Sequence, residues 1–309
     1  MSQPVINRLV SGLSAVLLGK EPQIRLALAC LLSRGHLLLE DLPGMGKTTL
    51  SHALAKVLGL QYQRIQFTSD LLPADIIGTT LFNAGQSQFE FRKGPVFSEV
   101  LLADEINRAT PKTQGALLEA MEERQVTVEG HSYPLPEQFF VIATQNPVTQ
   151  MGTFPLPESQ LDRFLMRISL GYPDPKVERE LLKGKNPRDE LESLGSALEP
   201  GELLALQKRV NGVHVSDALL DYVQRILAFT RESSLFVVGL SPRAGMALIK
   251  SAKALALVAG RDHVVPEDVQ MVLGPVAEHR LSGSRDITGH EGERLVDHVL
   301  KHVSVIGER

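Results

Sequence analysis

The sequence predicts an α/β fold: a core with a parallel five-stranded sheet and β-hairpin inserts, followed by a smaller all-helical domain. Three observations carry that prediction. Short apolar runs alternate with segments of helical periodicity as far as residue 172, the order that builds a parallel sheet between two helical layers. The first of these runs ends in a glycine-rich turn that opens directly into a helix. Beyond residue 172 every periodic segment is helical. The domains therefore read as 1–172 for the α/β core and 173–309 for the helical part.

Residues 5–18 carry Ile6, Leu9, Val10, Leu13 and Leu17 at helical spacing, and Pro22 suits the first turn of a second helix over 22–33. His36-Leu37-Leu38-Leu39-Glu40 is a short apolar run of the kind buried in parallel sheets. Asp41 to Gly46 is turn chemistry, and residues 47–58 are helix-like. Further strands are expected at 63–67, 100–103, 138–144 and 165–168, with a helix over 112–123. Two segments interrupt the rhythm. Residues 80–92 alternate around Phe89 and Phe91, and residues 125–135 alternate through Val126, Val128 and Tyr133 with Glu129-Gly130 at the bend. Both read as inserted β-hairpins. The segment 183–201 reads as loop or weak helix, and helices follow over 202–210, 216–231, 242–259, 266–277 and 292–302.

Composition narrows the function classes. The chain has 309 residues, 43% of them hydrophobic and 22% charged, which supports a real core and excludes disorder as the default. A net charge of −4 argues against a nucleic-acid or anionic-membrane partner. The single cysteine, Cys30, cannot form an internal disulfide, and its neighbours Leu28, Ala29, Leu31 and Leu32 mark it as core filler. Residues 1–10 lack the basic flank and apolar run of a signal peptide. No run of about 18 apolar residues is present, so membrane insertion is not expected and the cytoplasm is the expected location.

Five features carry chemistry. In Pro43-Gly44-Met45-Gly46-Lys47-Thr48, the glycines let backbone N–H groups turn inward around phosphate oxygens, and the following helix aims its positive end at the same charge. Lys47 would reach the β- and γ-phosphates and the Thr48 hydroxyl would ligate magnesium. Asp41 stands where the usual pattern has its first glycine. Second, Val100-Leu101-Leu102-Ala103 is a strand ending in Asp104-Glu105. Asp104 can hold a magnesium-bound water, and Glu105 can polarise the attacking one. Third, Asn146 follows the strand ending at Gln145, where its amide can bridge water and γ-phosphate. Fourth, Arg163 in Leu161-Asp162-Arg163-Phe164 can stabilise transition-state charge at a neighbouring subunit. Fifth, Ser241-Pro242-Arg243 puts a cation in a first helical turn, against the dipole, which points to an external anionic partner. Taken singly, each has a plain structural alternative: a glycine turn, a solvated strand end, a loop start, a surface ion pair.

In this order and spacing the features resemble those of an AAA+ ATPase, and the chain closely resembles the MoxR family of that class. The resemblance rests on residues 40–48, 91–97, 104–109, 143–147 and 156–164, and runs from about 18 to 273. It implies Lys47 and Thr48 as the Walker A residues, with Pro43, Gly44, Met45, Gly46 and Thr49 also around the nucleotide. It further implies Asp104 and Glu105 as Walker B, Asn146 as sensor 1, Arg163 as the arginine finger and Arg243 as sensor 2. Gly19-Lys20 resembles the segment that lies against adenine. The hairpin at 80–92 resembles the helix-2 insert of this clade, and that at 125–135 its pre-sensor-1 hairpin. Whether Arg243 acts on its own subunit or on a neighbour stays open, because this clade displaces its helical lid.

The resemblance also implies a ring, expected to be a hexamer, binding ATP and Mg2+ between subunits. The implied task is to remodel or mature client proteins, with a von Willebrand factor A domain protein as partner. The competing readings are a nucleic-acid translocase or restriction-type motor, against which the acidic balance speaks, and a nucleotide-gated switch with little turnover. A small-molecule kinase is weaker than either, since nothing suggests an acceptor pocket.

Overall fold

Two helices, α1 (Ser2–Val16) and α2 (Glu21–Leu32), precede the sheet, and the predicted stripe of Ile6, Leu9, Val10, Leu13 and Leu17 is buried. The structure, a computed structural model, describes residues 2–146, 152–184, 186–284 and 294–306. Pro147, Lys185 and the first residues expected in the final helix, 292–293, lie outside the described residues. Along the core come β1 (Leu37–Glu40), α3 (Lys47–Leu58), β2 (Tyr62–Gln66), α4 (Pro73–Ile77), β3 (Gly78–Asn83), β4 (Gln88–Lys93) and β5 (Val100–Asp104). They are followed by α5 (Pro111–Glu123), β6 (Gln125–Val128), β7 (His131–Pro134), β8 (Phe140–Gln145), α6 (Glu158–Leu161) and β9 (Met166–Ile168).

Five strands form one parallel sheet in the order β2-β5-β8-β1-β9. Alternation divides β1, β5 and β8 between two cores. Leu37, Leu39, Leu102 and Ile142 face the layer of α1, α2 and α3, while Leu38, Leu101, Val141 and Ala143 face α5 with Phe67 and Phe164. Both faces of the three central strands β1, β5 and β8 are covered, which explains why these are predominantly apolar, whereas the edge strand β2 carries Gln63, Arg64 and Gln66. Truncating Leu38 or Leu39 to alanine would cost about 2–5 kcal/mol through the cavity left behind.

The two expected inserts are antiparallel hairpins outside this sheet, β3 with β4 and β6 with β7. Phe91 of the first stacks on Tyr133 of the second, with ring centroids 4.2 Å apart. The tip of the first hairpin exposes Phe82 and Phe89, which pack edge to face.

Two helices occupy the segment after the sheet: α7 (Pro175–Leu182) and α8 (Pro187–Ser193). Each is opened by a side-chain cap, Asp174 accepting from the Lys176 N–H and Asn186 from the Arg188 N–H. The remaining elements are α9 (Glu202–Asn211), α10 (Asp217–Glu232), β10 (Phe236–Val238), α11 (Pro242–Val258), α12 (Pro266–Ala277), β11 (Ser282–Gly283) and a last described helix, Leu295–His302. The β10–β11 pair is too short for a period-2 pattern to register in the sequence.

Helices α9 to α12 pack against the helical layer of the core, while α7 lies beside the glycine-rich turn. The buried residues of α9 to α12 join those of α1 to α3 in one continuous cluster. Polar ties reinforce the contact: Gln207 Nε2 donates to the Leu31 carbonyl (3.1 Å) and Ser33 Oγ to the Lys250 carbonyl (3.2 Å).

Candidate functional site

The crevice at the carboxyl ends of parallel strands is where such sheets bind ligands, and three adjacent strands, β1, β8 and β5, deliver their terminal residues there. From β1 the chain enters a loop in which Gly44 and Gly46 both have left-handed backbones, φ 85° and 90°. Gly46 is the N-cap of α3, so this conformation, which favours glycine, directs the first N–H groups of the helix at the loop's interior. Asp41 accepts from Ser169 Oγ (2.9 Å) and from the backbone N–H groups of Leu170 and Gly171. The carboxylate thus ties the loop to the segment after β9, which is why aspartate works where the general pattern has glycine. Lys20 grips the same segment from the other side, donating to the carbonyls of Leu170 (2.7 Å), Gly171 (3.0 Å) and Tyr172 (2.6 Å).

These contacts shape a cavity of about 200 Å³ beside the loop. Leu17, Leu18 and Lys20 wall it on one side, Met45 and Thr49 on another, and Val177 and Leu181 of α7 on a third. Gly19 makes the turn between α1 and α2 with φ 70°, and Lys20 contributes its stem to the wall while its ammonium holds backbone. Thr48 is exposed on the first turn of α3.

Lys47 is only 8% exposed. Its ammonium donates to the carbonyls of Asp41 and Leu42 and to Asn146 Oδ1 (3.2 Å). Burial lowers its pKa, and the carboxylates of Asp41, Asp104, Glu105 and Glu40 oppose that shift. Asn146, buried at the end of β8, donates from its other side to Glu105 Oε1 at 3.0 Å. Lys47, Asn146 and Glu105 therefore form one continuous chain of hydrogen bonds.

Asp104 and Glu105 diverge at the tip of β5. Asp104 accepts from Thr144 Oγ1 (2.6 Å) and from Arg64 Nη2 (2.7 Å). Glu105 has a left-handed backbone, φ 56° and ψ 48°, a conformation costing a non-glycine residue on the order of 1–3 kcal/mol. Its N–H donates to Thr144 Oγ1 (2.8 Å), which offsets part of that cost. The carboxylate is held by Asn146, by Gln66 Nε2 (2.9 Å) and by Arg108 Nε (3.1 Å).

Arg163 and Arg243 belong to another face. Arg163 Nη2 lies 3.0 Å from Glu122 Oε2, and Arg243 Nη2 lies 3.4 Å from Glu122 Oε1. Arg243 also faces Asp162, which is anchored by the buried Arg280 at 2.6 Å. Among the described contacts neither guanidinium reaches Lys47, Asp104, Glu105 or Asn146. The structure thus brings the loop, the two carboxylates and Asn146 together and sets the two arginines apart as a pair. Sequence reasoning gave no role to Arg64, Gln66, Arg108, Thr144 or Glu122. Gln66 and Arg64 lie on the edge strand β2, and their approach to β5 is a matter of strand order.

Comparison with known proteins agrees with this geometry. The family described as ATPase family associated with various cellular activities (AAA) matches residues 36–166, and the AAA lid domain matches residues 228–299. The YeaC protein of Bacillus subtilis (strain 168), itself uncharacterized, is 43% identical over 308 residues, spanning 99% of this chain and 96% of that protein. Chaperone MoxR1 of Mycobacterium tuberculosis is 42% identical over 313 residues, spanning 97% of this chain and 82% of that protein. Protein MoxR of Paracoccus denitrificans is 35% identical across 88% of this chain and 86% of its own length. A crystal structure of a protein from Cytophaga hutchinsonii, whose ATPase assignment is itself provisional, superposes with a TM-score of 0.87 at 37% identity. It spans 99% of this chain and 96% of that one.

Proposed function

Because the chain belongs to the MoxR family of AAA+ ATPases, we propose that it hydrolyses ATP with Mg2+ between the subunits of a ring and uses the turnover to remodel or mature client proteins. The observation that carries this reading is the Lys47–Asn146–Glu105 chain at the mouth of the glycine loop. It joins a phosphate-seeking ammonium to a carboxylate that a passive nucleotide holder does not require.

In this reading Lys47 exchanges the Asp41 and Leu42 carbonyls for phosphate oxygens, and the N–H groups around Gly44 to Thr48 cradle the same charge. Pro43, Met45 and Thr49 complete the loop's contacts, and Gly19-Lys20 borders the adenine. Glu105 takes the proton of the attacking water while the Asn146 amide orients it. Thr48 and Asp104 would hold magnesium, which supplies charge neutralisation on the phosphates. The residues suit that ion: Asp104 is an oxygen donor beside the loop, and magnesium is ordinarily held by one or two carboxylates plus phosphates rather than by an all-protein cage.

Arg163 and Arg243 are assigned to the neighbouring subunit's nucleotide, a reading supported by their shared contact with Glu122 and their separation from the Lys47 site. The exposed Phe82 and Phe89 of the first hairpin suit contact with a client. A chaperone role is taken from the name of the mycobacterial relative. The hexamer and the von Willebrand factor A domain partner follow from the family resemblance. No helix among the described residues is long and apolar enough to cross a membrane, and a cytoplasmic location is part of the proposal.

Steady-state phosphate release tests the whole. Turnover per subunit is expected to rise with protein concentration, and Arg163→Ala and Glu105→Gln to retain nucleotide binding while losing turnover. Lys47→Ala should instead weaken binding. A rate independent of concentration down to a demonstrated monomer would overturn the inter-subunit site.

A further inference from the structure

A cleft of about 770 Å³ runs between α10 and α11, remote from the glycine loop. Its walls follow helical spacing: Leu220, Val223 and Leu227 on one side, Met246 and Ile249 on the other. The floor is set by a close approach, since a Cβ on Gly245 would meet Leu227 Cδ1 at 2.8 Å. Met246 is 67% exposed and Leu220 42%, so the cleft presents large apolar side chains to water. Methionine, unbranched and polarisable, suits a surface that repacks around a guest.

The charge of the cleft is one-sided. Arg231, Lys250 and Lys253 line it and no carboxylate does. Arg231 and Lys253 donate to the carbonyls of Leu240 and Asn211, and among the described residues none of the three is in an ion pair. Desolvation first, and then the positive charges of Arg124 and Arg34 beside it, hold the Lys250 pKa below its usual value. On a chain of net charge −4 this is a local cationic excess around an apolar trough.

We infer that the α10–α11 cleft docks an amphipathic helix of a partner protein, apolar along one face and flanked by carboxylates. A helix fits because both walls are helices with i, i+3 and i, i+4 ridges, between which a third can seat its own apolar stripe. From Leu220 to Arg231 the trough measures about 16 Å at 1.5 Å per residue, room for a helix of roughly three turns. Carboxylates fit because the three rim cations have no acidic partner to displace, so each new pair adds attraction without breaking another.

The probe is a fluorescein-labelled three-turn synthetic helix with leucines at i, i+4 and i+7 flanked by glutamates, added to the full chain and read by anisotropy. Its control replaces every glutamate by lysine. The glutamate peptide is expected to bind at least tenfold more tightly than the lysine peptide and to weaken as salt rises. Met246→Glu and the double variant Lys250→Glu/Lys253→Glu should each lose at least tenfold, with circular dichroism melting to establish that both are folded. The double variant should also gain affinity for the lysine peptide. Absence of binding, equal binding of the two peptides, or unchanged affinity in the folded variants overturns the inference. So does a change of oligomeric state in Met246→Glu by sedimentation velocity without peptide binding, which would assign the cleft to a second copy of the chain.

Discussion

Arg163 and Arg243 form ion pairs with opposite oxygens of a single carboxylate, that of Glu122. They come from different parts of the fold, one after α6 and one in the first turn of α11, so Glu122 on α5 is what makes them a pair. Like charges held this close repel unless an anion lies between them. Glu122→Ala removes that anion. The expected outcome is a fall in kcat with little change in nucleotide affinity, because the arginines would no longer enter a neighbouring site together. The stability cost should stay below about 1 kcal/mol, as befits a partly exposed ion pair. Paired measurements of phosphate release, nucleotide titration and urea unfolding check all three.

Glu105 offers a second test. Gln66 and Arg108 hold its carboxylate at the same time as Asn146 does. Under the proposed mechanism Glu105 must exchange these donors for the attacking water, so the contacts would restrain it. Gln66→Ala is expected to raise the basal ATPase rate by up to about tenfold, since one hydrogen bond to a charged group contributes about 1.5 kcal/mol. A rate that falls instead would show that Gln66 positions Glu105 productively.

Much of this was legible in the sequence because it is local. Gly44, Gly46 and Lys47 are a contiguous turn and helix start, and Asp104-Glu105 terminate a fully apolar strand. The helical part was readable from period alone. What was not legible depends on strand order. Gln66 and Arg64 meet β5 only because β2 is its neighbour in the sheet, and Thr144 meets Glu105 only because β8 is the other. Glu122 looked like any surface carboxylate on α5 until Arg163 and Arg243 were folded onto it. Short α7 and the β10–β11 pair escaped because neither is long enough to show a repeat.

The buried His36 predicts an acid limit to stability. Its Nδ1 accepts from the Val141 N–H (3.0 Å) and its Nε2 faces the Met121 carbonyl (3.3 Å), which fits the neutral ring. Burial, with the positive charge of Arg124 behind it, pushes its pKa down from 6.5 to about 3. The unfolded chain therefore takes up a proton that the folded chain refuses. This contribution is intact above pH 6.5 and lost as pH falls from there toward 3, at about 1.4 kcal/mol per unit. From pH 6.5 to 5 the loss from this group is about 2 kcal/mol. His279, buried against the Phe164 carbonyl and also lowered by burial, acts in the same direction. Urea unfolding at pH 7.5, 6.5 and 5 should show little change over the first step and a clear fall over the second. His36→Gln should be less stable at pH 7.5 but lose less on acidification.

Asp41 provides the last test, because it separates a sequence pattern from the work of a side chain. Glycine at this position would match the general loop pattern, yet Asp41→Gly would remove the acceptor for Ser169, Leu170 and Gly171. Two consequences follow from the geometry. The segment that Asp41 and Lys20 hold between them would lose one of its two anchors, at a cost of roughly 1–2 kcal/mol for charge-assisted bonds at a partly exposed site. Gly171 and Pro173 on that segment line the 200 Å³ cavity, so the wall would loosen and nucleotide affinity would fall. Asp41→Asn keeps one carbonyl acceptor and should recover part of both losses. The ordering wild type, Asn, Gly in unfolding free energy and in nucleotide affinity is the expected result. A glycine variant that binds as tightly as wild type would mean that the loop holds its shape without this carboxylate.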